Sequence, residues 1–507
     1  MTNRRIPRLP HPPQYTPDMP ALTAAQETGR EDIDLRPGRR LHLVGIGGCG
    51  MSGLARMLVA RECICTGSDQ APTDVTKALA ADGISLHLGQ PTGSIPDDTE
   101  VLIASAAIPE DHPEVSTARS RGLPILTYAE ALGQLQRHHL SIAISGTHGK
   151  STTASMLCHI LIECGLDPSF IIGATCDQIG GGSRAGAATV PHGPHEGEPG
   201  ILVCEACEFN RSFHHHRPDL ALINNIEEDH LDIYGSLEAI IEAFGEFASL
   251  LPPVEDGGSL LIAHSGARRQ AITPSLPCHV STFGFHPEAD YQIVYDANVL
   301  RVGILREGMW VTQWTNQMAG GHNALNAAAA VILAHQLGAE WEDASNAMAT
   351  FNGLDRRMQR LGERSTRDGG TAVVYDDYGH HPTEIEQTLK ALKLAEKPDR
   401  LICVFQPHQH SRTRFLLDHF AESFASADEV IVPRIYFVRD SLAEKQRVSA
   451  VDLVEKLDER GVLAKHIPEF EDITEYLSAE CQDGDLVVIM GAGPVWTIGR
   501  DYMAGDA

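Results

Sequence analysis

The stretch Ser145-Gly146-Thr147-His148-Gly149-Lys150-Ser151-Thr152-Thr153 decides how this chain is read. An apolar run at 140–144 leads into it, and Met156, Leu157, Ile160, Leu161 and Cys164 follow on one helical face. Strand, glycine loop and helix in that order make a phosphate cradle. Backbone N–H groups curl round a phosphate, Lys150 reaches the β/γ oxygens, and the Ser151 hydroxyl can hold Mg²⁺. The full P-loop pattern wants a further glycine where this chain has Ile144. The competing reading is a chance Gly-Lys-Ser turn, and the correctly placed strand and helix argue against it.

Upstream the same texture occurs once more. A strand is expected at 41–44, followed by Gly45-Ile46-Gly47-Gly48-Cys49-Gly50. Met51, Leu54, Ala55 and Leu58 then keep a helical period. Further strands are expected at 63–66 and 101–104, so this part reads as a doubly wound parallel sheet. Gly45-x-Gly47-x-x-Gly50 fits a dinucleotide fingerprint, with Asp69 roughly 20 residues on, where a ribose hydroxyl would bind. That pattern suggests NAD. What its physics supports is broader: a diphosphate carrying a nucleoside, against the plain alternative of a tight turn with no ligand. Two anion loops on two units suggest two phosphorylated substrates.

Downstream, strands are expected at 201–204 and 220–223. Glu205 follows the first, and Glu227, Glu228, Asp229 and His230 follow the second. Strand C-termini collect ligands in open α/β sheets, so these acids are candidates to meet a metal at the Lys150 loop. Cys204-x-x-Cys207 lacks a second pair for zinc, and His214-His215-His216 reads as a solvated or packed run. A Gly- and His-rich stretch at 177–200 is expected to be a loop. An Ala-rich helix over 324–337 opens with Gly321-His322-Asn323 and Asn326, whose amides could cap the helix or read a base edge. Strands at 372–375, 401–405, 429–432 and 486–490, with helices at 384–394 and 450–457, form a third α/β unit. Asp376-Asp377-Tyr378-Gly379-His380-His381-Pro382 follows its first strand. Gln406-Pro407-His408-Gln409-His410-Ser411-Arg412 follows its second, and Arg412 could clamp a carboxylate.

The arithmetic agrees with three units. The chain has 507 residues, against roughly 150 per domain. Seven prolines lie within 1–38 with no hydrophobic period, which predicts a disordered extension. The formal charge of −28 disfavours binding to nucleic acid or anionic membranes. The 11 scattered cysteines suggest a reducing compartment, and no apolar run approaches the length of a membrane span. A cytoplasmic protein without membrane insertion is expected.

As a set, these motifs resemble the Mur ligases, the ATP-dependent amide-forming enzymes of peptidoglycan precursor synthesis. The resemblance rests on residues 42–53, 146–153, Glu205-Ala206-Cys207-Glu208, 225–232, 321–326, 376–384 and Gln406-Pro407-His408. It implies a Rossmann-like UDP-sugar domain at 39–138, a P-loop ATPase α/β domain at 139–351, and a Rossmann-like domain at 352–507 that closes on ATP and the amino acid. The implied reaction joins L-alanine to the lactyl carboxylate of UDP-N-acetylmuramate through an acyl phosphate. Attachment of a recycled peptide to the same sugar, or NAD-dependent oxidoreduction, are the alternatives.

By resemblance, the catalytic residues are Lys150, Glu205, His230, Arg356 and His408. ATP is expected at Gly146, Thr147, His148, Gly149, Lys150, Ser151, Thr152, Asn323, Asn326, Arg357 and Asp376. The UDP-sugar is expected at Gly45, Gly47, Gly48, Gly50, Met51, Ser52 and Asp69. His408 and Arg412 would hold the amino acid, and Ser151, Glu205 and His230 a Mg²⁺, with Mn²⁺ as a substitute. A monomer or homodimer is implied. Gln409 departs from the family's usual Arg, and Ser151 from its usual Thr.

Overall fold

The computed structural model describes residues 33–90, 92–438 and 440–505. They build three sheets in series. The first has five parallel strands in the spatial order Ser85–Leu88, Ile64–Asp69, Arg40–Val44, Val101–Ala104, Ile125–Thr127. Strand order reverses at Arg40–Val44, so the crevice beyond Val44 is the topological switch point where such sheets bind ligands. The glycine loop lies there, and helix Cys49–Ala60 buries Met51, Leu54, Ala55 and Leu58, the four residues of the expected stripe.

The expected extension over 1–38 is too long. Residues 1–32 lie outside the described residues, but Leu35 is fully buried in the first core. Cys63 Sγ also donates to the carbonyls of Leu35 and Arg36, at 3.6 and 3.4 Å. Burying one leucine side chain is worth about 1.5–3 kcal/mol, enough to hold the chain here ahead of the first strand.

The second sheet has ten strands, in the order Met309–Thr315, Arg301–Arg306, Tyr291–Asp296, His279–Gly284, Ser259–Ala263, Leu220–Ile223, Leu140–Ser145, Ile201–Glu205, Ser169–Ile171, Ser183–Arg184. Its middle is parallel and its two ends turn antiparallel. Ser183–Arg184 lies within the stretch expected to be wholly loop; it pairs with Ser169–Ile171 and closes that edge. Helices Lys150–Glu163 and Gly321–Gln336 pack on the sheet with long runs of buried alanine, leucine and isoleucine.

The third sheet orders as Gln359–Ser365, Thr371–Asp377, Asp485–Met490, Arg400–Phe405, Glu429–Val432, Leu463–His466, with only the first strand antiparallel. The α/β class and the three Rossmann-like and P-loop units therefore stand. Among the described residues no helix is long and apolar enough to cross a membrane.

Candidate active site

Strand Leu140–Ser145 is buried along its whole length and delivers the chain into the Lys150 loop. Gly146 and Gly149 take φ of 140° and 80°, backbone that side chains resist. A Cβ at Gly149 would also stand 2.6 Å from Asn326 Oδ1. The loop is tied to the chain after Leu220–Ile223. His148 N–H donates to Asn225 Oδ1 (2.7 Å) and Glu227 N–H donates to Thr147 Oγ1 (2.9 Å).

Lys150 Nζ donates to the carbonyls of Gly146 (2.5 Å) and Thr147 (3.1 Å) and to Glu208 Oε2 (2.9 Å). Burial pulls this ammonium's pKa down, but Glu208 more than restores it, so the lysine stays charged. Glu205 closes strand Ile201–Glu205, accepts Gly173 N–H at 2.7 Å and is bonded by Ser151. Its pKa is raised by burial against the pull of those donors and of Lys150. Lys150, Ser151 and Glu205 are thus brought together as expected from sequence. Glu208 was not assigned a role there; the signal available was its position three residues beyond Glu205, past the same strand end.

A second cluster forms at the seam with the C-terminal domain. Arg412 donates from Nε and Nη2 to Asp229 Oδ1, at 3.0 and 2.8 Å, and its Nη1 lies 3.2 Å from His408 Nδ1. Both members of the ion pair are buried, and Arg412 holds the Asp229 carboxyl far below the usual range against burial. His230 follows Asp229 with φ 51°. Burial lowers its pKa, with Asp229 and Glu208 opposing. The His380 and His408 rings are 5.8 Å apart, and burial with Arg412 nearby keeps His380 neutral. His230, His408 and Arg412 therefore share one neighbourhood, joined through Asp229.

Between the central and C-terminal domains lies a cleft lined in part by Gly149, Thr152, Asn323, Asn326 and Arg357. Asn326 Oδ1 accepts from Thr153 Oγ1 and Asn224 Nδ2, at 3.2 and 3.3 Å, and Asn323 Nδ2 donates to Ala319 O at 2.9 Å. Arg356 and Asp376 do not line this cleft. They pair with each other at 3.2 Å, and Arg356 also donates to Gly491 O at 2.6 Å. Their neighbours Arg357 and Asp377 line it instead. Asp376 and Asp377 are adjacent on a strand and so face opposite sides, while Arg356 lies in a turn with φ 57°, and spacing within the motif could resolve neither. Arg357 pairs with Glu384 at 3.2 Å. Burial raises Asp377 to about 6 although Arg357 opposes.

At the first glycine loop, Gly45 takes φ 76°, and Gly47 N–H donates to Asp69 Oδ2 at 2.8 Å. Asp69 thus commits one oxygen to shaping the loop. Met51 belongs to the hydrophobic core, and Ser52 Oγ donates to Cys49 O at 3.0 Å. These two residues face inward, leaving backbone N–H groups at the helix start to meet a ligand. Gly48 caps that helix and brings no side chain. Gly50 packs on the Tyr128 ring, and Glu205 and Cys207 are near enough to that buried phenol to raise its pKa further. The first loop therefore faces the strand end that carries Glu205.

Ser151 and Glu205 offer hard oxygen donors next to a P-loop lysine, a set that suits Mg²⁺. His230 offers nitrogen, which fits Mg²⁺ less well than those oxygens do.

An α/β ATPase domain held between two Rossmann-like domains, with a phosphate loop at its centre, defines the class. Family models describe the same division: "Mur ligase family, catalytic domain" matches residues 40–140, "Mur ligase middle domain" 144–334, and "Mur ligase, glutamate ligase domain" 356–493. The chain belongs to the Mur ligase family. Among its relatives, the UDP-N-acetylmuramate–L-alanine ligase of Agathobacter rectalis is 37% identical over 476 residues, 93% of this chain and 99% of that protein. The ligase of the same name from Clostridium novyi is 37% identical over 92% of this chain and 97% of its own. In fold, the chain is like UDP-N-acetylmuramate-alanine ligase from Thermotoga maritima (TM-score 0.70, 24% identity, covering 91% and 98%). It is also like a murein peptide ligase from Psychrobacter arcticus (TM-score 0.65, 23% identity, covering 93% and 100%).

Proposed function

We infer that this chain is an ATP-dependent ligase that joins L-alanine to the lactyl carboxylate of UDP-N-acetylmuramate, releasing ADP and phosphate. The observation that carries the substrate is the likeness over nearly the whole length of proteins bearing that name. Attachment of a recycled peptide is less favoured, because the relatives that are 34–37% identical over most of the chain bear the L-alanine ligase name. Two anion loops on different domains leave an NAD oxidoreductase without a use for Lys150.

The UDP diphosphate lies on the N–H groups of residues 45–50, and the ATP phosphates on residues 146–152. Asn323 and Asn326 face the base, Arg357 meets ATP, and Asp377 takes the place expected of Asp376. Mg²⁺ at Ser151 and Glu205 (Mn²⁺ in its place) would neutralise phosphate charge. A lactyl oxygen attacks the γ-phosphorus, the bond to ADP breaks, and an acyl phosphate forms. Lys150, released from Glu208, follows the moving charge. Arg412 and His408 orient the amino acid, whose neutral amine attacks the acyl carbon and expels phosphate. The amine proton passes to a base at the seam of the two domains. Closure of the C-terminal domain keeps water from the acyl phosphate. The substrates, ATP and the free cysteines suit the cytoplasm, and the enzyme acts as a monomer or homodimer.

The test is ADP release with Mg-ATP and UDP-N-acetylmuramate, adding L-Ala, Gly, L-Ser or a tripeptide singly. Release that needs both the sugar and L-Ala, with an amide product by mass, supports the reading. Release with the tripeptide alone moves the chain to the recycling reaction. Lys150→Ala should lose more than about nine-tenths of turnover while still folded, since one lost transition-state contact costs 1.36 kcal/mol per factor of ten.

A further inference from the structure

Three side chains meet beside the ATP cleft, and the ligase reaction leaves two of them, Glu227 and His381, without a role. His148 comes from the Lys150 loop, Glu227 from the turn after Leu220–Ile223, and His381 from the N-cap of helix Pro382–Glu396. His148 Nε2 is 3.5 Å from Glu227 Oε2, and His381 Nδ1 is 3.9 Å from the same oxygen. One donor atom from each residue lies within 4.8 Å of the other two. A tetrahedral ion with ligands at about 2.0–2.1 Å has edges of about 3.4 Å, so the two spacings to Glu227 are close to that value and the two imidazoles close toward each other on binding.

The outer contacts orient both rings. His148 Nδ1 faces Glu384 Oε1 at 3.4 Å, while its Nε2 is buried without a hydrogen bond. His381 Nε2 meets Glu228 O at 3.0 Å, which fixes the proton on that nitrogen. Its Nδ1 faces Glu227 and accepts Thr383 N–H at 3.3 Å, a long cap bond that an ion would replace. A carboxylate behind one imidazole and a carbonyl behind the other is the arrangement that holds metal-binding histidines. Among the described residues the other grouping of this composition, His264, His286 and Glu288, lacks it. There the two rings stack face to face, 4.6 Å apart and 8° from parallel, so their in-plane lone pairs do not converge.

We propose that His148, Glu227 and His381 bind one first-row divalent transition ion of the zinc type. Two imidazoles and one carboxylate favour such an ion over Mg²⁺, which prefers oxygen. Two ligands belong to the central domain and one to the C-terminal domain, so the ion binds only the closed arrangement and holds it closed. His148 and Glu227 also line the ATP cleft. Zinc therefore slows turnover by opposing reopening, at a site separate from Ser151 and Glu205.

The test uses the full chain, stripped with a chelator and kept in excess Mg²⁺. Zn²⁺ is titrated against a competing indicator, and Co²⁺ is added separately to read its visible spectrum. One Zn²⁺ per chain and an intense four-coordinate Co²⁺ band are expected. His381→Ala should weaken binding by more than tenfold, and Glu384→Gln, which keeps all three ligands, by about tenfold. Circular dichroism checks the fold of each variant, and Glu384→Gln carries the test if His381→Ala does not fold. The double variant His264→Ala with His286→Ala should bind as the parent does. No bound zinc in excess Mg²⁺, affinity unchanged in a folded His381→Ala or in Glu384→Gln, or loss in the double variant overturns the proposal.

Discussion

The central domain has two interfaces, and they are built from opposite materials. Toward the N-terminal domain the contact is a continuation of a core. Ile171, Leu202 and Cys204 of the central sheet belong to the same apolar cluster as Leu41, Met51 and Leu54. Gly53 lies so close that a Cβ would be 2.8 Å from Ser183 Cβ, and one at Gly133 would collide with the His215 carbonyl. Toward the C-terminal domain the cores stay separate, with Met358 the partly buried residue packed against both. The seam is held by Arg412 to Asp229, His148 to Glu384, His381 to Glu228 and Thr383 to Glu227. Apolar packing is non-directional and costly to open. Ion pairs and hydrogen bonds exchange readily for water or a ligand. The first interface suits a fixed platform, and the second a domain that opens and closes on each turnover.

The hardest blow to this contrast is Asp229→Ala. It leaves Arg412 buried without its partner, a cost of about 3–5 kcal/mol. Because the domain can undock, that cost should appear as an open molecule rather than an unfolded one. Turnover should fall by at least about 100-fold, with a larger radius of gyration in solution scattering and an almost unchanged melting temperature. A lowered melting temperature at unchanged radius would mean that the seam is as rigid as the other interface.

Leu202→Ala probes the opposite side. A cavity in the shared core should cost about 2–5 kcal/mol. Here the melting temperature should drop while turnover at 25 °C persists, the reverse of the first pattern.

His216 sharpens the comparison through pH. It is buried beside the helix that carries Gly133, and burial, with His215 and Arg217 adding to it, lowers its pKa to about 3. The unfolded chain takes up the proton near pH 6.5 and the folded one does not. Stability is therefore complete above pH 6.5 and is lost as pH falls toward 3, by roughly 2 kcal/mol at pH 5. His216→Leu should flatten that part of the curve in urea titrations from pH 7 to 4.5. An unchanged slope would place the acid sensitivity elsewhere.

Salt should give the smallest effect. Raising ionic strength screens the partly exposed members of the C-terminal seam and leaves the apolar interface alone. The KM for ATP should rise a few-fold, with no fall in melting temperature.

The contrast also explains what could be read in advance. Runs such as 140–144, 220–223 and 486–490 are buried on both faces and carry their signal locally, so they were legible. The hairpin strands Tyr291–Asp296, Arg301–Arg306 and Met309–Thr315 mix exposed and buried positions and were not seen. Helix Leu237–Ala248 went unremarked, although Ile240, Ala243, Phe244 and Phe247 keep a helical period behind the Ser236 cap. In the site, the loops announced themselves because glycine spacing is a property of the chain alone. The partners of Lys150, Arg412 and His148 lie 58, 183 and up to 236 residues away by number, beyond any local pattern.

The sequence by itself determined three α/β units, two anion loops and the acids at the strand ends, because hydrophobic period and glycine placement act over a few residues. Only the tertiary structure decided that Arg357 and Asp377 enter the cleft while Arg356 and Asp376 pair away from it. It alone joined Glu208 to Lys150 and Asp229 to Arg412. Charge pairing is decided by which side chains are carried out of water together, and that depends on how whole domains dock.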